Sequence, residues 1–148
     1  MKAGLHVGHS EEIDILVTKD MRAEFLLETV GDLYSTSSLV NHIETAARRV
    51  LKPFLEDNEQ GMVSHLDISH LTLTVAGMYV KVKATVSEIR DTKIVCDVEA
   101  SNTRGKVARG VVTITVADKT WLENKIKEMS IINSLAQQNY QIANEQKI

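Results

Sequence analysis

Residues 37–55 read S-S-L-V-N-H-I-E-T-A-A-R-R-V-L-K-P-F-L. Leu39, Val40, Ile43, Ala46, Ala47, Val50, Leu51 and Phe54 recur at short steps that, at ~100° per residue, place them on one stripe of a helix. A stripe of this kind is stable only when another apolar layer covers it, so the stretch predicts a helix packed on a sheet or a second helix. Thr36 and Ser37 stand where an N-cap oxygen would satisfy the first free backbone N–H groups, and Pro53 favours a kink or stop at the far end. Glu44 lies at the edge of the stripe. A carboxylate there is partly desolvated and reads either as a snorkelling surface residue or as a placed functional group.

The covering layer lies downstream. Met78, Val80, Val82, Ala84 and Val86 alternate with polar neighbours, Ile94, Cys96, Val98 and Ala100 form the next inward set, and Lys106 to Val116 is a further strand. Ala76-Gly77, Arg90-Asp91-Thr92-Lys93 and Asn102-Thr103-Arg104-Gly105 turn the chain between them. Connections this short require antiparallel neighbours, because a parallel return needs a crossover of about a dozen residues. Leu66 and Ile68 mark an earlier strand, but from Leu71 the apolar positions become Leu71, Leu73 and Val75. That slip of phase near Ser69-His70 predicts a bulge there. Ahead of the helix, Ile13, Ile15 and Val17 make a strand, and Thr18 to Tyr34 reads as a covering segment with Phe25, Leu26 and Leu27 as its apolar patch. Past Asp118, residues from Trp121 to Ile132 take helical spacing, so 1–129 reads as the main domain and 130–148 as a mostly polar, helical or frayed tail. The expected class is α+β, a curved antiparallel sheet of about five strands wrapped around one long helix.

Composition narrows the function. A length of 148 residues suits one domain with a real core. With 17 basic against 20 acidic side chains and 4% aromatic residues, no basic face interleaved with stacking platforms is available, which argues against nucleic acid. The opening M-K-A-G-L-H-V-G-H-S-E-E has no apolar signal core, and no run approaches the ~20 apolar residues of a membrane span, so a cytoplasmic protein is expected. The single Cys96 excludes an internal disulfide and a cysteine zinc cluster, and its alternating apolar surroundings predict a buried, inert thiol. His6 and His9, in a glycine-containing terminal segment, read as solvated rather than metal-binding. No glycine-rich phosphate loop is present, and neither metal nor cofactor is expected.

Strand, helix, then four strands joined by short turns is the element order of the hotdog fold, and within it the chain resembles the fluoroacetyl-CoA thioesterase branch. The resemblance covers about Lys2 to Met129. It rests on the opening M-K-x-G-x-x-V-G, Thr36 eight residues before Glu44, the A-x-x-x-L-x-P-[FY]-L run from Ala47 to Leu55, His70 seven residues before Gly77, and Gly110 on the last strand. It implies an acyl-CoA hydrolase acting as a homodimer, with Thr36, Glu44 and His70 as the catalytic set and Tyr34, Ser37, Gly77, Arg104 and Arg109 at the substrate.

The residue types suit that chemistry. A thioester needs a nucleophile or activated water and donors for the tetrahedral oxyanion. Glu44 can act as base or nucleophile, Thr36 can attack or relay a proton, and His70 can orient the pair and shuttle protons near neutral pH. The start of the helix adds backbone N–H groups and a positive dipole end. Ser35, Ser37 and Ser38 are alternative hydroxyls, and His42 and His65 alternative histidines. The fluoroacetyl-specific site is roofed by phenylalanines before the threonine, where this chain has Leu27 and Val30 and keeps only Tyr34 as a nearby aromatic. A short-chain or branched acyl-CoA is therefore the expected substrate. Lys81, Lys83, Arg104, Lys106 and Arg109 are available to its adenosine diphosphate end. The competing reading is a non-catalytic hotdog dimer that binds an acyl-CoA or another small ligand.

Overall fold

The computed structural model describes residues 1–23 and 31–147. In chain order they form β1 (Ser10–Leu16), α1 (Thr36–Leu51), β2 (Glu59–His70), β3 (Tyr79–Arg90), β4 (Lys93–Asn102), β5 (Gly105–Asp118) and α2 (Lys119–Glu145). All strands join one antiparallel sheet in the order β1-β3-β4-β5-β2, with α1 packed against every strand. This is the α+β hotdog arrangement that the alternating strands and the single striped helix call for.

The core is the contact of α1 with the sheet's inner face. Leu39, Ile43, Ala46, Ala47, Val50 and Leu51 of α1 are buried, facing Val80, Val82, Ala84 and Val86 of β3 and Ile94, Cys96, Val98 and Ala100 of β4. Ala46 and Ala47 on the helix and Ala84, Ala100 and Ala108 on the sheet let the two layers lie close, with the larger Leu39, Ile43 and Ile114 fully buried between them. Cys96 is free and buried here, and burial together with the neighbouring Asp97 pushes its thiol up to about 11, which leaves it inert at neutral pH.

Several expectations need correction. The cap of α1 is Ser35, whose Oγ accepts from Ser38 N at 3.0 Å, so Thr36 is the first helical residue and not the cap. The regular helix ends at Leu51, and Pro53 sits in a single 3-10 turn, Lys52–Phe54. That turn swings Phe54 off the stripe to meet Gly4 and His9, whose ring it contacts edge-on at 5.4 Å. β2 begins at Glu59 rather than near Leu66, and its bulge lies at Ser64, between Val63 and His65, not at Ser69-His70. Register is regular through Ser69↔Arg109 and His70↔Ala108. The apparent slip has another cause: Leu71–Val75 has left the sheet, and Leu71, Leu73 and Val75 are exposed. Further bulges, one between Val86 and Glu88 and one between Ala100 and Ser101, add to the bending of the sheet around α1.

Between β1 and α1, Lys19–Met21 is a short 3-10 turn, and isolated bridges tie Arg22 to Tyr34 and Leu33 to Val75. The patch expected at Phe25, Leu26 and Leu27, and Val30 beside it, lie outside the described residues. α2 continues without a break through residue 130, and its side chains are all exposed or nearly so.

Candidate active site

The start of α1 and the end of β2 meet. Thr36, at the first position of α1, lies beside His70, the last residue of β2, and Thr36 Oγ1 stands 2.9 Å from His70 Nδ1. Pairing of β2 along β5 carries His70 to this point, and that pairing depends on Gly110: a Cβ there would stand 1.9 Å from the Asp67 carbonyl oxygen. Only glycine permits so close a backbone approach. The pair borders a cleft of about 610 Å³, whose described walls include Arg22, Leu33, Tyr34, Ser35, Ser37 and Leu73.

The electrostatics favour a basic, uncharged imidazole. Burial holds His70 below the ordinary histidine value, with the Thr72 backbone pulling weakly the other way. His70 Nε2 is shut off from solvent and has no partner in hydrogen-bond geometry among the described residues. In the tautomer that leaves Nδ1 unprotonated, the Thr36 hydroxyl donates to Nδ1, which is the arrangement that activates an alcohol. Ser38 N–H is taken by the Ser35 cap, while the Thr36 and Ser37 N–H groups find no acceptor among the described residues. At a helix N-terminus such donors stabilise developing negative charge.

Tyr34 and Ser37 join Thr36 and His70 at this cleft. The Tyr34 ring is edge-on to His70 at 6.5 Å, and its hydroxyl donates to His42 Nδ1 at 2.5 Å. Burial raises the Tyr34 phenol and lowers His42, so both stay neutral and His42 is occupied by Tyr34 rather than by Thr36. His65 lies on the exposed side of β2. Glu44 is half-buried on α1 and does not line the cleft. Its eight-residue separation from Thr36 spans about 12 Å of helix axis, beyond side-chain hydrogen-bonding reach of the pair.

The cations expected at the substrate, and Gly77, are more dispersed. Gly77 turns the chain into β3 at a φ of +94°, with its N–H on Val17 O, and is away from the cleft. Arg104 sits in the β4–β5 turn, which Asn102 ties to Thr74 Oγ1 at 3.0 Å and to Leu73 O, so this turn adjoins the cleft wall. Arg109 lies across from Glu99 and Ser69 in the ladder, in a shallow outer groove that also contains Asp67 and Asp97. Arg22 was not singled out by its sequence context. It lines the cleft and contacts Asp32 at 3.4 Å, a placement made by the Arg22–Tyr34 bridge and invisible in local pattern.

The fluoroacetyl-CoA-specific thioesterase family model matches residues 17–120, well over half of the chain. No curated protein sequence matches it. Among solved structures, a thioesterase superfamily member from Thermus thermophilus is 26% identical, with a TM-score of 0.82 over 90% of this chain and 98% of that one. The fluoroacetyl-CoA thioesterase FlK itself is 20% identical, with a TM-score of 0.79 over 84% of this chain and 97% of that one. A hot-dog-like protein from Thermanaerovibrio acidaminovorans is 20% identical, with a TM-score of 0.78 over 83% and 91%. The matched span contains Thr36, Glu44, His70 and Gly110, the residues on which the sequence resemblance rested. The chain belongs to the fluoroacetyl-CoA-specific thioesterase family and is an acyl-CoA thioester hydrolase of hotdog fold.

Proposed function

We propose that the protein hydrolyses short-chain or branched acyl-CoA thioesters at a site where Thr36 and His70 of one protomer meet the partner subunit's Glu44. The observation that carries this reading is the Thr36 Oγ1–His70 Nδ1 contact of 2.9 Å at the N-terminus of α1, on the rim of a cleft. Thr36 attacks the thioester carbonyl as its proton passes to His70, and the oxyanion forms against the N–H groups at the helix start. CoA leaves as the thiol with the proton from His70. Glu44 then acts as base for the water that hydrolyses the Thr36 ester, releasing the acid.

A dimer is supported by two features beside the cleft. β2 is an edge strand, and Leu66, Leu71, Leu73 and Val75 form an exposed apolar group along its end. A partner covering that edge satisfies its free backbone groups and buries the patch. The 12 Å gap along α1 gives the second reason, since Glu44 joins the pair only from another chain. Arg104 and Lys106, next to the cleft wall, suit the phosphates of CoA, with Arg22 closer to the acyl end. Residues 1–129 form the catalytic unit, with 130–148 accessory to it. Among the described residues no helix is long and apolar enough to cross a membrane, and the single buried thiol suits a reducing cytoplasm.

Thiol release from a panel of acyl-CoA esters tests the activity, and mixing two inactive variants tests the shared site. Thr36→Ala and Glu44→Gln chains, denatured together and refolded, form hybrid dimers with one intact site, which restores about a quarter of the parental turnover. No recovery places Glu44 in the same chain's site. Hydrolysis of no ester by the folded parent leaves the protein as a binding module.

A further inference from the structure

α2 has no buried residue over its whole length, Lys119–Glu145, and leaves the domain at the end of β5. Ile126, Met129, Ile132, Leu135, Tyr140 and Ile142 are each more than half exposed. At 100° per residue they occupy an arc of about 200°, with Ser130, Ser134, Gln137 and Gln141 on the opposite side; the ion-paired Lys125 and Glu128 also fall on this arc, at its N-terminal end. A lone helix of this kind gains little from propensity in water, since most helical stability in proteins comes from packing an apolar face. The family match ends at residue 120, at the start of α2.

We infer that α2 is a self-association element whose apolar arc packs against α2 of other copies of this chain. Three features point to an identical partner. From Met129 to Asn144 the sequence has no charged side chain, so copies meeting about a two-fold axis place no like charges together. Asn133 and Asn139 fall within the arc, where self-pairing amides across a helix seam fix register. Trp121, also mostly exposed, falls on the same arc, so seven large side chains, each more than half exposed, share one face, a patch that calls for a partner. Its width exceeds the ~100° that one neighbour covers, so each α2 has two neighbours, as in a four-helix bundle joining two dimers. An interfacial membrane helix would carry lysine and arginine along its polar side, whereas from residue 129 to 144 this one carries serine and glutamine there.

The test compares the full chain with the double variant Ile132→Asp/Leu135→Asp and with a polar-side control, Ser134→Asp/Gln141→Asp, by light scattering over a wide concentration range. Trp121, the only tryptophan, reports burial of α2 through its emission. The arc variant should show half the parental mass and a red-shifted Trp121 emission, with unchanged thermal unfolding of the domain and unchanged thioester turnover. The control should keep the parental mass. Equal masses for parent and arc variant overturn the inference, as does a control that dissociates equally. Co-sedimentation of the parent, but not the arc variant, with phosphatidylcholine–phosphatidylglycerol vesicles at equal masses assigns the arc to a lipid surface and also overturns it.

Discussion

Replacing Gly110 by alanine should damage stability and turnover together. Gly110 is paired with Ile68 in the β2–β5 ladder, and a Cβ on it would stand 1.9 Å from the Asp67 carbonyl oxygen and 2.8 Å from Ile68 Cδ1. The Ile68 tip can rotate away, but the Asp67 carbonyl is backbone in a paired strand. Carbon and oxygen approach no closer than about 3.3 Å, so β2 must retreat by about 1.4 Å at this point. Overpacking against backbone costs about 3 kcal/mol, which in a chain of this size lowers Tm by about 6–12 °C. His70 is three residues further along the same strand, and its 2.9 Å contact with Thr36 fails once the separation passes about 3.5 Å. Misplacing a reacting group by an ångström costs about 10²-fold in kcat. Differential scanning calorimetry and thiol release measure the two effects on the same preparation. A Tm within about 2 °C of the parent, with turnover within a factor of about two, would refute the claim that this close approach positions His70.

Truncating Ile43, fully buried on α1, to alanine should cost about 2–5 kcal/mol in chemical denaturation, and a loss below about 1 kcal/mol would show that the helix stripe is not core. The acid limb of kcat/KM should fall below the ordinary histidine value of about 6.5, because burial lowers His70 and only its free base accepts the Thr36 proton. A limb at or above that value would contradict it. The same shift makes the fold less stable in acid: the unfolded chain takes up the protons first, so the contribution of His42 and His70 is intact above about pH 6.5 and is lost as pH falls through their lower folded values. Glu44→Gln should retain the fold and accumulate an acyl adduct on Thr36, visible by mass spectrometry, and full steady-state turnover in that variant would remove Glu44 from the mechanism.

The parts of the fold that were legible in the sequence are those with one face buried. Val80 to Val86 and Ile94 to Ala100 alternate because every second side chain meets α1, and α1 shows its stripe for the same reason. β2 was misread because it is an edge strand with weak burial, and because exposed Leu71, Leu73 and Val75 imitate a continuation of it in another phase. Its bulge at Ser64 falls where Met62 is exposed and Val63 is only half-buried, so no break in alternation marks it. Ser35 and Thr36 are adjacent hydroxyls, and which of them caps the helix is decided by backbone geometry rather than residue type. Thr36 and His70 are 34 residues apart and are joined by the β2–β5 register, a contact no local pattern encodes; the family resemblance supplied it. Arg22 had no signal at all, since its place on the cleft comes from a single bridge to Tyr34.

Whether Thr36 and His70 work as one unit on an acyl-CoA thioester is tested most directly by a double-mutant cycle on kcat. Thr36→Ala and His70→Ala should each lower kcat by about 10²–10⁴-fold with the fold intact, and the double variant should be no worse than the poorer single one, since a joint contribution is lost only once. Losses that multiply in the double variant, or a single variant that stays within a few-fold of the parent, would show that the 2.9 Å contact between them is structural and that the chemistry lies elsewhere.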